Sequence, residues 1–402
     1  MNLLNKLKKT VYNFYNNKSY SGKKPTIVYI SNFPPKKCGI ATFTQNLFSS
    51  MEKNSQKALN FKLISLIDEK KDKKKYKDSI LNINRNDKKD YQNCAKFINS
   101  NKKIQVVNIQ HEFGIFGGLY GRFILNFLKT VKKPVVITFH SVIPKPNYIF
   151  KTLIRKIADQ VNYIVVMNKT SKKILINDYK INQNQIKTIP HGVPDYKYEK
   201  NVLCKKKLGL NKRTVLLTFG FLSQNKGIEY VIKALPKLIK NYPNLLYLIV
   251  GQTHPNIKQK EGEKYRDKLK ELTRRLRLNK NVKFINSYQS NQKLIEFLKA
   301  CDIYLCTSVD PNQSVSGTFS YALSSGRPVI STDFIQANEF KNKKIGLIIP
   351  PQNSKAYTEA IKNLLKDKKQ RSAMGKKAFK ESRPMTWDNV SKKYLELFDK
   401  LI

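Results

Sequence analysis

At 402 residues and 40% hydrophobic content, the chain is long enough for two domains with cores of their own. Its five cysteines are scattered without CxxC spacing and its four histidines are dispersed, which argues against a disulfide framework and a metal-ligand cluster and fits a reducing compartment. The net charge of +49 creates a field that attracts polyanions or an anionic membrane surface, but the lysines are spread along the whole chain without an aromatic-rich nucleic-acid motif, so nucleic acid ranks last among partners. No apolar run approaches the length of a transmembrane helix and no signal peptide stands out. The expected location is therefore cytoplasmic, with the inner membrane face as a candidate docking surface.

Residues 1–24 stand apart: Leu3, Leu4, Leu7, Val11, Phe14 and Tyr15 fall near helical spacing with Lys6, Lys8 and Lys9 between them. Such a pattern fits a basic amphipathic helix lying in a membrane interface, a frayed N-terminal extension, or a helix packed on its own protein. Thr26–Ser31 reads as a buried strand, followed by a loop ending in Gly39 and a helix with Phe43, Leu47, Phe48 and Met51 on one face. A glycine between strand and helix lets the backbone approach a ligand closely, which makes Gly39 a candidate. Phe61–Ile67 reads as a strand, and Asp68–Asp90, dense in lysine and asparagine, as an exposed excursion.

The apolar runs Ile104–Ile109 and Pro134–Phe139 predict two more strands, each leading into a histidine: Gln110-His111-Glu112 and Phe139-His140-Ser141. Ligands of open parallel sheets bind at the carboxyl ends of the strands, so both histidines stand where chemistry occurs, although a strand-end histidine is often only structural. Tyr163–Met167 is the next strand, Ile186–Val193 closes the first half in a turn around His191, and Pro194–Leu208 reads as a linker.

The second half opens on Val215–Phe219, a short buried strand, and a helix with Ile228, Val231, Ile232, Leu235, Leu238 and Ile239 in phase, in which Pro236 predicts a kink or interruption. Between them runs Gly220-Phe-Leu-Ser223-Gln-Asn-Lys226-Gly227, a loop feeding a helix N-terminus, where unpaired N–H groups, the helix dipole and the Lys226 charge together favour an anion. Strands follow at Leu245–Val250, Val282–Ile285 and Ile303–Cys306, with helices around Tyr265–Leu276 and Leu294–Ala300. A polar loop from Ser308 then carries Asp310 and Gln313 and enters a short helix through Ser316, Gly317 and Thr318, whose N–H groups suit sugar hydroxyls or phosphate oxygens. Helical patterns at Ala356–Leu365 and Trp387–Leu401 end the chain.

Taken in order, the segments PPKKCGIATF, ITFHS, IPHGVP, GFLSQNKGIEYVIKAL, LYLIVG, VKFINSYQS, ACDIYLCTS and SGTFSYALSSGRPVIST resemble glycosyltransferase family 4 over residues 25–395. That resemblance implies an α/β fold of two Rossmann-like domains facing each other across a cleft (the GT-B architecture): the extension 1–24, an acceptor-side domain 25–200, a donor domain 201–384, and a helix 385–402 returning to the first domain. It implies retaining transfer of a hexose from a UDP-, GDP- or ADP-sugar to a saccharide or lipid-linked acceptor, with no cofactor and no metal, as in polysaccharide biosynthesis. By the same resemblance His140 contacts the donor sugar, Lys226 binds the diphosphate, and Gly39, Ser223, Ser316, Gly317, Thr318 and Tyr321 line the donor, with Gln313 at the sugar. His111, Glu112 and Asp310 are the acceptor-side candidates. Three positions depart from the family pattern: Phe221 replaces an arginine after the loop glycine, and Gln313 and Tyr321 replace a pair of glutamates. The competing readings are a non-catalytic sugar-nucleotide or polyanion binder, and an epimerase or phosphorylase on the same fold.

Overall fold

The computed structural model describes residues 24–199 and 201–402. The expected amphipathic helix of 1–24 lies, apart from Lys24, outside the described residues. The chain divides into two compact units: residues 24–192 with Trp387–Ile402, and Val193–Thr386.

In the first unit β1 (Thr26–Ser31), β2 (Asn60–Ile67), β3 (Ser79–Asn84), β4 (Ile104–His111), β5 (Val135–Phe139), β6 (Tyr163–Val166) and β7 (Ile186–Thr188) form one parallel sheet in the order β3-β2-β1-β4-β5-β6-β7. β1 and β5 are buried along their whole length, which is why they read as continuous apolar runs without alternation. Consecutive strands run outward from β1 on one side and from β4 on the other, so the topological switch point lies between β1 and β4. The helix Gly39–Asn54 covers this region, and the last helix, Trp387–Phe398, packs on it through Ser391 and Asn54. The final helix belongs to the first unit.

The second unit repeats the plan with β8 (Thr214–Phe219), β9 (Leu245–Val250), β10 (Val282–Ile285), β11 (Ile303–Cys306), β12 (Val329–Thr332) and β13 (Gly346–Ile349), all parallel, in the order β10-β9-β8-β11-β12-β13. Its switch point falls between β8 and β11. Two crossings separate the units, after Gly192 and after Thr386, and within the second unit Val193 pairs with Thr386 and donates its N–H to Met385.

Three sequence expectations are corrected. Asp68–Asp90 is not one exposed excursion: it holds a 3-10 turn, Lys70–Lys75, and the edge strand β3, and the lysines crowd the turn because the strand itself exposes one flank. Pro194–Leu208 is no plain linker, since Asn201–Lys207 is a helix tied down by Lys205, whose ammonium pairs with Asp302 at 2.5 Å. Pro236 does not interrupt its helix, which runs unbroken from Ile228 to Ile239. A proline there forfeits one backbone hydrogen bond, and the buried side chains of Val231, Ile232, Leu235 and Leu238 on the same helix outweigh that loss.

Candidate functional site

In the second unit the switch point brings three segments together. The loop after β8 turns at Gly220, whose φ of 123° suits glycine alone, and closes on Gly227 at φ 57°. The loop after β11 is laced to it: Val309 N–H donates to Asn225 O at 3.0 Å, and the Thr307 hydroxyl donates to the carbonyl of Lys226. A Cβ on Gly227 would lie 2.7 Å from Val309 Cγ1 and 2.8 Å from Thr307 O, so this contact leaves no room for a side chain. The third segment is the N-terminus of the helix Gly317–Ser324. Its cap is Ser316, whose hydroxyl accepts from Phe319 N, while Thr318 Cγ2 lies 3.2 Å from where a Gly220 Cβ would stand.

Behind this cradle stands a buried latch. Arg266, 1% exposed, donates to Gly251 O at 2.8 Å and pairs with Glu263 at 3.1 Å. Gly251, at the end of β9, comes so close to the loop that a Cβ on it would meet Gly220 O at 2.1 Å. Sequence reasoning missed this latch, whose one visible signal was a charged residue in phase with the buried Leu269 and Leu272.

Lys226 ends a 3-10 turn, Gln224–Lys226, in the middle of this arrangement. Its side chain is half-buried, burial lowers its pKa, and among the described residues its ammonium has neither an ion-pair nor a hydrogen-bond partner. A desolvated, unpaired cation beside a helix N-terminus is a seat for an anion. Next to it lies an aromatic group: Phe221 sits 5.4 Å from His254 and 5.9 Å from the exposed Tyr288, and the imidazole of His254 is held below its ordinary pKa by burial and then by Lys226. Phe221 therefore supplies a ring face and no charge.

The other donor-side candidates divide. Ser223 is half-buried and its carbonyl accepts from Lys226 N at 2.9 Å. Gln313 Nε2 donates to Val315 O at 3.0 Å, which leaves the amide oxygen for a ligand. Asp310 is exposed and accepts from Asn312 N at 2.9 Å, forming its own turn. Tyr321 does not line an open site: it is 7% exposed and packs into the core with Phe219 and Phe319. Its position on the helix, past the N-terminal turn, sends the ring inward.

In the first unit the switch point lies beside the loop after β1. Gly39 is not in that loop but is the first residue of the helix, open around its Cα, and Cys38 caps the helix by accepting from Ala41 N at 3.3 Å. Asp68 pairs with Lys36 and with Arg85, both at 2.8 Å, and Arg85 donates to Gly114 O, tying the loops after β1 and β4 together.

His140, just past β5, is 8% exposed; its ring stands edge-on to Phe43 at 4.6 Å, and burial holds it well below its ordinary pKa. Its Nε2 lies 3.0 Å from Gln110 Oε1. Because the Gln110 amide nitrogen donates to Asn108 Oδ1 and Thr138 Oγ1, its oxygen accepts and His140 Nε2 carries a proton; burial favours the neutral ring, which leaves the lone pair on Nδ1. Thr138 in turn meets Tyr394 OH at 2.8 Å, so the returning helix completes the network. Gln110 was absent from the sequence candidates, yet Asn108 and Gln110 are two polar residues at strand spacing inside an apolar run, the pattern of a buried polar relay.

His111 faces the core rather than an acceptor. It is 1% exposed, boxed by Phe113, Phe116 and Phe139 at 5.1 to 5.4 Å, with no partner for either nitrogen among the described residues, and burial pushes its pKa down to about 3. Successive strand residues point to opposite faces, and here the odd one points into the apolar layer. Glu112 accepts from Ser141 Oγ at 2.7 Å and from Phe113 N at 3.0 Å, and burial raises its pKa. No group of three or more His, Cys, Asp or Glu among the described residues is placed to hold a metal ion, and no described helix is long and apolar enough to cross a membrane.

Comparison with known proteins gives concordant matches. Residues 203–381 match the family described as glycosyl transferases group 1, and residues 79–196 match glycosyltransferase family 4. A D-inositol 3-phosphate glycosyltransferase of Corynebacterium urealyticum is 27% identical over 200 residues, which cover 49% of this chain and 46% of that protein. The chain thus spans about half the length of such curated relatives. Among solved structures, Anabaena HepE in complex with UDP superposes with a TM-score of 0.73 at 15% identity, covering 94% of this chain and 100% of the other. The sucrose-phosphate synthase of Thermosynechococcus elongatus gives 0.75 at 15% identity, covering 94% and 99%. At these identities the structural likeness shows the fold: two Rossmann-like units, each a doubly wound parallel sheet.

Proposed function

We propose that this chain, whose residues 203–381 and 79–196 match glycosyl transferases group 1 and glycosyltransferase family 4, transfers a hexose from a nucleoside diphosphate sugar to a saccharide or lipid-linked acceptor, with retention at the anomeric carbon and without a divalent ion. One observation carries the reading: the unpaired, half-buried ammonium of Lys226, set between the Gly220 loop and the helix that Ser316 caps. Transfer from such a donor requires stabilisation of a departing diphosphate. A fixed cation and oriented N–H groups supply that in a partly desolvated site, without reorganisation as charge develops. HepE binds UDP, by the description of its structure, and a UDP-sugar fits the same chemistry here.

The geometry supports a role for each residue in this reading. Lys226 receives the diphosphate charge, and the Gly317 and Thr318 N–H groups, unpaired at a helix start, face its oxygens or those of the sugar. Phe221, His254 and Tyr288 offer ring faces for the nucleobase. Gln313 hydrogen-bonds sugar hydroxyls without contributing charge. Neutral His140 orients a sugar hydroxyl through its Nδ1 lone pair. The acceptor's proton passes to the leaving phosphate, so no separate base is needed. Glu112, held by Ser141, stays on the acceptor side as a hydrogen-bonding group.

A thermal-shift panel against UDP-, GDP-, ADP- and CDP-sugars without metal tests the reading, because a ligand of the native state stabilises it by mass action. One nucleotide should raise the melting temperature selectively, and Lys226→Ala should remove that rise and lower transfer by about 100-fold or more. Near wild-type transfer by Lys226→Ala would sink the diphosphate assignment. A selective shift with no transfer to any acceptor would favour a binder.

A further inference from the structure

The first unit presents an apolar surface that its own fold does not cover. Nine large hydrophobic side chains are exposed among the described residues, and four of them, Leu119, Ile143, Tyr148 and Ile149, lie on two adjoining segments, the turn Leu119–Gly121 and the stretch from Ile143 into the first turn of the helix Tyr148–Ala158. Tyr148 is 82% exposed and Ile149 61%. They open the helix Tyr148–Ala158, and the loop that leads into it, bearing Ile143, begins directly after His140 and Ser141.

This is not a slack loop whose side chains happen to point outward. Lys145 N–H donates to Asp178 Oδ2 at 2.8 Å, and Tyr179 OH donates to Ile143 O at 2.7 Å. Asn147 caps the helix by accepting from Phe150 N at 2.8 Å. Phe150 is buried against Phe113 and Tyr120, and Tyr120 follows Leu119 on the neighbouring loop. Pinned from both ends, the first helical turn can only hold Tyr148 and Ile149 in solvent. A rigid display of two isoleucines and a tyrosine is costly in water and favourable where one side is apolar and the other wet.

The surrounding charge identifies that environment. Residues 113–158 contain eight Lys and Arg and no Asp or Glu, a sharper bias than in the chain as a whole, which holds 28 acidic residues in 402. Lys145 and Lys151 flank the exposed side chains directly. Apolar and aromatic tips among cations, with the neighbouring Asp178 carboxylate engaged by the Lys145 N–H, complement an anionic lipid interface. A second protein would match the apolar tips but gives no reason for the excess of cations along residues 113–158.

We propose that Ile143, Tyr148 and Ile149 dock the first unit on an anionic bilayer, inserting to the depth of the headgroups beside the residues that follow β5. The proposal stands on surface chemistry and does not depend on the donor reading.

Flotation of the full-length protein with vesicles of phosphatidylcholine containing about 30% phosphatidylglycerol tests it. The triple variant Ile143→Ser, Tyr148→Ser, Ile149→Ser changes no charge, so electrostatic adsorption by the rest of the chain, including residues 1–24, is held constant. Its partition coefficient should fall about tenfold, the effect of losing three inserted apolar side chains. Partition within a factor of two of the unsubstituted protein would overturn the proposal. An independent readout is Tyr148→Trp, since the single native tryptophan, Trp387, is only 9% exposed and gives a constant background. The added emission should shift to the blue on addition of these vesicles; no shift would also overturn it. Failure to float together with a dimer that the triple variant returns to monomer would assign the patch to a second copy of the chain instead.

Discussion

At the scale of single residues, the departures from the family pattern matter less for what they remove than for where their side chains go. Tyr321 packs into the core, so restoring the family carboxylate there would bury a charge among apolar groups. Tyr321→Glu should destabilise the protein by several kcal/mol in denaturant titration rather than improve transfer. Gly251→Ala should be equally severe: a Cβ 2.1 Å from the Gly220 carbonyl, at φ 140°, forces the anion loop to move. We expect a loss above about 2 kcal/mol and no thermal response to the donor. Gln110→Glu probes the relay behind His140. A carboxylate at the 3.0 Å acceptor position favours the imidazolium, so the pKa of His140 should rise toward the neutral range in NMR titration, and the pH profile of transfer should shift with it. An unmoved His140 titration would dismiss the relay. The histidine and lysine of these sites were legible in the sequence because strand ends and helix starts are readable. Gln110, Arg266 and the inward turn of Tyr321 were not, because they depend on which face of an element meets the core.

At the scale of elements, the sequence revealed those that bury a long apolar run or stripe and hid those that pack by other means. The helix Lys368–Ser382 escaped notice because it carries no apolar stripe: its buried residues are Gly375, Ala378 and Ser382. It approaches through Gly375, where a Cβ would stand 2.4 Å from Gly326 O, so close backbone contact replaces side-chain burial. Edge strand β3 was hidden for a related reason, since only Ile83 along it is fully buried. The helix of Ser316 shows the opposite case, a short element set by its cap. Ser316 accepts from Phe319 N at 3.2 Å, meets Thr318 Oγ1 at 3.0 Å, and its N–H donates to Gln336 Oε1 at 2.6 Å. Ser316→Ala keeps the backbone bond to Gln336 but loses the cap, at a cost of about 1 kcal/mol. Because the frayed turn is the one that faces the anion seat, donor affinity should fall beyond what stability alone predicts. Comparison of chemical denaturation with donor titration on the same variant separates the two effects.

At the scale of the whole molecule, the distribution of histidines makes the two units respond differently to acid. His111, His140 and His191 all belong to the first unit, the first two buried and His191 half-buried, and burial lowers the pKa of each, to about 3 for His111 and about 4 for His191. The second unit contains only His254, half-buried and also lowered by burial, so one such group acts there against three in the first unit. A histidine whose folded pKa lies below its unfolded value of 6.5 contributes stability that is intact above 6.5. As pH falls from 6.5 toward the folded pKa, the unfolded chain binds the proton and the folded chain does not, so that stability drains away. Each such group loses about 1.4 kcal/mol per pH unit across its window, and three of them act on one unit. Calorimetry at pH 7 and at pH 5 should therefore show the transition of the first unit moving down further than that of the second. His111→Leu, which fills the same aromatic box with an uncharged side chain, should recover part of the difference. Two carboxyls of the same unit oppose the histidines in part: burial raises Asp399 to about 7 and raises Glu112, so the folded chain takes up their protons first and gains stability as pH falls, and the three histidines must outweigh them. Equal displacement of both transitions would mean that the first unit opens its histidines to water before it unfolds, and the relay around His140 would then be a dynamic feature of the native state.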